Sequence, residues 1–144
     1  MRLVVDANIL FAALIKESTT AEILLHENIK FFAPEFLFKE FAKYEDYILE
    51  KTHRSKENFK DFYELLQKKI IIVPKDDINP KLVKVKEISP DPKDTVYFAL
   101  CLAINSMLWS NDKDLKEQQD LVRIITTKEI IDKVNSFKDE KETK

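Results

Sequence analysis

Five short apolar runs, each too brief for a helix, alternate along this chain with longer stretches of helical periodicity. The runs are Arg2–Val5, Ile29–Ala33, Ile70–Val73, Met107–Trp109 and Leu121–Ile125. Short, continuously apolar segments of this kind read as strands covered on both faces. Strands separated by helices pair in parallel through crossover connections, and the crossovers lay the helices over the sheet. The chain is therefore expected to be α/β, a three-layer α/β/α sandwich around a mostly parallel five-stranded sheet. Right-handed crossovers bring the carboxyl ends of such strands to one edge, where sites form.

The segments between the runs read as helices. Asn8 to Ile15 is apolar nearly all round. Ser18-Thr19-Thr20 is placed to cap a second helix ending near Glu27. Pro34 lies near the start of a third, in which Leu37, Phe41, Tyr44 and Ile48 form one stripe at helical spacing, with Glu40 along that stripe rather than opposite it. Ser55 caps a helix with Phe59, Phe62, Leu65 and Leu66 inward. Asn79-Pro80 starts a short helix to about Glu87, Ser89 to Lys93 is a rigid loop, and Asp94 opens a long apolar helix. Lys113 to Gln118 is short and polar. Thr126-Thr127 caps a last helix to about Val134. One domain over residues 1–137 and a loose charged tail over 138–144 are expected.

The chain has 144 residues and no glycine. The absence excludes the Rossmann fingerprint and the phosphate loop, which need glycine for close backbone approach to phosphates. A single cysteine, Cys101, excludes an intrachain disulfide and a thiolate zinc cluster. The apolar runs are too short to span a bilayer, and Met1-Arg2 leads into a strand rather than a signal peptide, so a cytoplasmic, non-membrane protein is expected. With 24 basic and 26 acidic side chains the net charge is −2, which supplies no global basic field for nucleic acid.

Four carboxylates stand where a parallel sheet would gather them. Asp6 and Asp112 follow apolar strands, Asp94 begins a helix, and Glu40 lies on the apolar side of another. Each has a structural explanation of its own. Asp6 and Asp112 can cap the helices that follow them, and Asp94 can complete a cap built from Asp91 and Pro92. Glu40 pays desolvation beside Leu37, Phe41 and Tyr44 unless it reaches solvent. Together they make a different case. Converging carboxylates must repel, protonate or hold a cation, and hard oxygen donors without His or Cys suit Mg²⁺ or Mn²⁺ rather than zinc. Such an ion would activate water and neutralise charge on a scissile phosphate.

These positions resemble the PIN-domain ribonucleases. The resemblance runs through VVDANIL at Val4–Leu10, FLFKEF at Phe36–Phe41, DPKDTVYFALCLA at Asp91–Ala103 and LWSNDKDL at Leu108–Leu115. It implies Asp6, Glu40, Asp94 and Asp112 as acidic metal-site residues, with Asn8 and Asn111 supporting them. It also implies Mg²⁺- or Mn²⁺-dependent cleavage of single-stranded RNA. Many small members are VapC-like toxins that form homodimers and are blocked by an antitoxin protein, and those partners are implied here too. The third motif, Glu87-Ile88-Ser89-Pro90-Asp91-Pro92-Lys93-Asp94, departs from the short form common in those toxins. A catalytically inactive PIN-fold module that binds RNA or protein is the alternative. A phosphatase with Asp6 as nucleophile ranks low, because Asn8 stands where a second Asp is usually needed.

Of the remaining residues, His26 and His53 lack ligand spacing, and Cys101 and Trp109 read as core. Lys39, Lys43, Lys93, Lys113 and Lys116 flank the acidic motifs and either guide phosphates or face solvent. Phe59, Phe62 and Tyr63 form a dimer face or a core stripe.

Overall fold

The structure is a computed structural model that describes residues 1–15, 19–87 and 92–142. In chain order its elements are β1 (Arg2–Val5), α1 (Ala7–Ile15), α2 (Thr19–Leu24), β2 (Lys30–Pro34), α3 (Phe36–Lys43), α4 (Glu45–Thr52) and α5 (Lys56–Lys69). They continue with β3 (Ile70–Val73), α6 (Lys75–Lys86), α7 (Pro92–Ile104), β4 (Met107–Trp109), α8 (Lys113–Gln118), β5 (Ile124–Ile125) and α9 (Thr127–Glu142). The expected caps Ser18 and Asp91 lie outside the described residues, as does most of the Ser89–Lys93 loop.

The sheet has five strands in the order β3-β2-β1-β4-β5, and every pairing is parallel. The α/β expectation holds. The chain winds outward from β1 through β2 to β3, then returns to the other side of β1 for β4 and β5. With right-handed crossovers this reversal puts the intervening helices on opposite faces of the sheet. Helix α7 packs against β1, β2 and β4, while α1 packs against α2, α3 and α4. In open parallel sheets, sites form where the strand order reverses, which here is at the carboxyl ends of β1 and β4. In register, Val5 of β1 lies beside Trp109 of β4.

The central strands are buried because both faces are covered: Leu3, Val4, Val5, Phe31, Ala33, Leu108 and Trp109 are all in the core. Edge strand β3 departs from that expectation, with Ile71 and Ile72 exposed. Phe31 and Trp109 rings lie 5.8 Å apart across β1. A second aromatic cluster stacks Phe41 with Phe59 and Tyr63 at 5.7 and 5.9 Å. Phe59 is buried there and Phe62 and Tyr63 pack against the core, so these rings are core residues. Leu65, expected inward, is exposed, and Leu66 is fully buried.

Several boundaries differ from the sequence expectation. The helix carrying Leu37 to Ile48 breaks at Tyr44, whose φ of −98° and ψ of 12° separate α3 from α4. Tyr44 is exposed there and its ring meets Phe11 edge-on at 5.5 Å. Helix α6 begins at Lys75 rather than Asn79. Pro80 therefore lies inside the helix, where it forgoes the bond to the carbonyl of Asp76. Asp76 and Asp77 in the first turn complement the helix dipole. Leu121 is exposed and β5 is only Ile124–Ile125. Helix α2 ends at Leu24, and α9 continues past Val134 to Glu142. Thr126 caps α9 reciprocally: its Oγ1 accepts the Glu129 N–H at 3.2 Å, and Glu129 Oε1 accepts the Thr126 N–H at 3.3 Å. Among the described residues, left-handed backbone occurs at His53 (φ 57°), which closes α4, and at Asn105 (φ 52°), which follows α7.

Candidate functional site

Asp6 is the first residue after β1. Its Oδ1 accepts the Ile9 N–H at 3.0 Å, so it caps α1 as one of its sequence readings proposed. Capping leaves it in an unfavourable place for a charge. Burial is the largest influence on its carboxyl, and the charges of Asp94 and then Asp112 add to it. These outweigh the favourable N–H groups of Ile9 and Asn8 and push the pKa from 3.8 to about 6.

Asp112 stands three residues beyond β4. Its Oδ1 accepts the Asp114 N–H at 2.9 Å, so it caps α8. Buried Ser110 shapes that turn, its hydroxyl accepting the Asp112 N–H at 3.2 Å. Asp94 is in the first turn of α7, where the helix dipole favours a carboxylate. That helix begins at Pro92, as the capping reading has it, rather than at Asp94 where the loop was expected to end. Glu40 is half-buried on α3, next to buried Phe41.

One residue that was passed over in the sequence joins these groups. Tyr97 is buried, and its hydroxyl makes no hydrogen bond among the described residues. Its pKa is driven above the ordinary value of 10.0, first by burial and then by the charges of Asp6, Glu40 and Asp94. The Ala7 N–H acts weakly in the opposite sense without reaching hydrogen-bond geometry. Three carboxylates, one just past β1 and the others on α3 and α7, thus bear on one phenol, and Asp112 bears on Asp6. The signal was present: Tyr97 is three residues after Asp94, on the same side of a helix that is apolar from Val96 onward apart from the Tyr97 hydroxyl.

The supporting residues differ. Asn8 is exposed in the first turn of α1, and its backbone N–H faces Asp6. Asn111 points to α9 instead, bonding Thr127 through both ends of its amide at 2.9 Å. Asp114, Lys39 and Lys113 are exposed, and Lys116 pairs with Glu129 at 3.2 Å. Cys101 is buried, which pushes its thiol pKa up and leaves it inert. His26 accepts the Asn28 N–H at 3.2 Å.

As they stand, no three Asp, Glu, His or Cys side chains among the described residues close around a single ion. The chemistry of the donors nevertheless suits a hard divalent cation. All are carboxylates, one is disfavoured as an anion by its surroundings, and a buried hydroxyl beside them lacks a partner. A cation at this edge would relieve each of those costs.

The PIN domain profile matches residues 4–136. Two solved structures share the fold. One is VapBC2 from Rickettsia felis, determined bound to a DNA fragment from its promoter. It superposes with a TM-score of 0.64 at 15% identity, covering 88% of this chain and 98% of that one. The other is VapBC-1 from nontypeable Haemophilus influenzae, with a TM-score of 0.63 at 15% identity, covering 89% and 99%. No curated protein matches the sequence. At such identity the structural likeness speaks for the fold, and the profile match across nearly the whole length carries the kinship: this chain belongs to the PIN-domain family.

Proposed function

We propose that this protein is a cytoplasmic Mg²⁺- or Mn²⁺-dependent endoribonuclease that cleaves single-stranded RNA, with Asp6, Glu40, Asp94 and Asp112 as its acidic centre. The observation that carries the reading is the state of Asp6. It is half-buried just past the end of β1, where the strand order reverses, disfavoured as an anion, and within the electrostatic reach of Asp94 and Asp112. A bound divalent ion would lower the pKa of a water and neutralise charge on the scissile phosphate. The chain supplies the rest. The Ile9 N–H fixes the orientation of Asp6, Asp94 stands in the first turn of α7, and the α8 cap aims Asp112. Glu40 brings the fourth carboxylate from α3. Asn8 supports Asp6 through its backbone. Asn111 supports Asp112 by anchoring the loop that carries it.

The test is direct. Purified protein should cut a single-stranded RNA with Mg²⁺ or Mn²⁺ and not with EDTA, and Asp6→Asn should abolish cutting. Activity that survives both would refute the assignment. Likeness to the two VapBC structures supports a toxin role with an antitoxin protein as partner; a homodimer is what the family resemblance implies. Growth arrest on expression, relieved by a co-expressed antitoxin gene, checks this.

One observation favours a second reading, a catalytically inactive module that binds RNA or protein: among the described residues the carboxylates do not close around an ion as they stand. Calorimetry separates the two, since the module predicts no Mn²⁺ binding at millimolar concentration.

A further inference from the structure

Beside the acidic edge lies a cavity of about 330 Å³ that the four carboxylates do not line. It opens at the same edge of the sheet, because Pro34 ends β2 and Lys75 follows β3. Its apolar wall includes Phe36 of α3, Leu82 of α6 and Val96 of α7, and its polar groups include Lys39, Lys75 and Asn79. The cavity adjoins the candidate centre through one contact. The ring of Phe36 meets that of Tyr97 edge-on at 5.7 Å, and Tyr97 is the phenol on which Asp6, Glu40 and Asp94 bear.

The charge of the cavity runs against that of the chain. Lys39 and Lys75 are exposed, and neither is in an ion pair among the described residues. The acidic residue of the lining, Glu35, has Oε1 engaged by the Lys75 backbone N–H at 3.3 Å. Two ammonium groups against one carboxylate give this mouth a net positive charge on a protein of net charge −2.

We propose that the cavity is a nucleotide subsite that takes the base and phosphate of the residue flanking the scissile bond. The size is at the lower end of the roughly 300–1,000 Å³ of ligand pockets, enough for one nucleotide rather than a folded partner. Apolar and aromatic surface accepts a base face, the Asn79 amide offers both a donor and an acceptor to a base edge, and the lysines meet the phosphate. Its position on the RNA strand rests on the nuclease reading. Its ligand class does not.

The test uses the full chain in EDTA, so that it reads binding without the metal centre. Uridine, cytidine, adenosine and guanosine 5′-monophosphates and inorganic phosphate are titrated while backbone amide shifts are followed. At least one nucleotide should bind more tightly than inorganic phosphate and shift Phe36, Lys39, Lys75, Asn79 and Leu82. The double variant Lys39→Ala, Lys75→Ala should weaken that binding about fivefold or more, the scale expected for two exposed charge contacts, and leave Mn²⁺ affinity unchanged. Shifts that avoid these residues, affinity equal to that of inorganic phosphate, or an indifferent double variant would each overturn the proposal. So would tighter binding of an acidic, leucine-rich peptide, which would make the cavity a protein-docking site. Nucleotide binding here in a protein that never cuts RNA with Mn²⁺ would sink the nuclease and leave the ligand class standing.

Discussion

Asn111 and Thr127 hold each other twice. The Asn111 Oδ1 accepts the Thr127 N–H at 2.9 Å, and its Nδ2 donates to the Thr127 hydroxyl at 2.9 Å. Trp109 Nε1 donates to the same hydroxyl at 3.0 Å. The segment between β4 and α8 is thereby clamped to the first turn of α9, and Asp112 is presented from the clamped end.

Asn111→Ala removes both bonds and strands the first N–H of α9. A loss of about 1 kcal/mol is expected for an exposed pair of this kind, read by urea unfolding. RNA cleavage should fall as well, because Asp112 loses its anchor. Unchanged stability would show that water replaces the amide at no cost.

Asp6→Asn should separate stability from activity. The rise from 3.8 to about 6 means that ionised Asp6 costs the metal-free fold about 3 kcal/mol at neutral pH, at 1.36 kcal/mol per pKa unit. Asparagine keeps an acceptor for the Ile9 N–H without the charge. The variant should unfold at higher denaturant than the native chain in EDTA while cutting no RNA. A variant less stable than the native chain would show that the charge is not what burdens this position.

The same shift fixes a pH dependence. The folded chain holds the Asp6 proton more tightly than the unfolded chain, so the stability linked to that proton is complete below about pH 4. It is lost as pH rises through about 6. Thermal midpoints in EDTA should therefore fall for the native chain relative to Asp6→Asn across that window and run parallel above it. Adding Mn²⁺ at neutral pH should restore what ionisation removed. Parallel curves throughout would place the titration elsewhere.

Tyr97→Phe deletes a buried hydroxyl that has no partner among the described residues and keeps the ring that meets Phe36. Leaving a buried polar group unpaired costs about 1–3 kcal/mol, so the metal-free variant should be more stable by about 1 kcal/mol. Calorimetry with Mn²⁺ supplies the control. A less stable variant would show that the hydroxyl is engaged in the folded chain.

The adjacency of Asp6 and Asp112 was legible because it depends on topology. Two strands flanking the reversal of a parallel sheet must end side by side, whatever the loops do. Glu40 was legible from helical spacing, and Thr126 from the Glu three residues after it. What escaped depends on tertiary packing. The break at Tyr44 interrupts an unbroken apolar stripe, and no local signal marks it. Pro80 looked like a helix start, but Asp76 and Asp77 had already opened the helix that it sits in. Tyr97 reads as one more apolar residue until the fold sets its hydroxyl among carboxylates. The cavity needs α3, α6 and α7 at once, and three helices distant in sequence leave no joint pattern in it.

His53 and Asn105 carry the left-handed turns that other chains give to glycine. A polypeptide with no glycine anywhere explores a narrower set of conformations once denatured. Some of the resistance of this protein to unfolding therefore resides in the coil it unfolds to, where no contact map records it. Installing glycine at residue 53 would relieve backbone strain in the native form and widen the denatured ensemble together, so the two effects would oppose each other in a single melting curve.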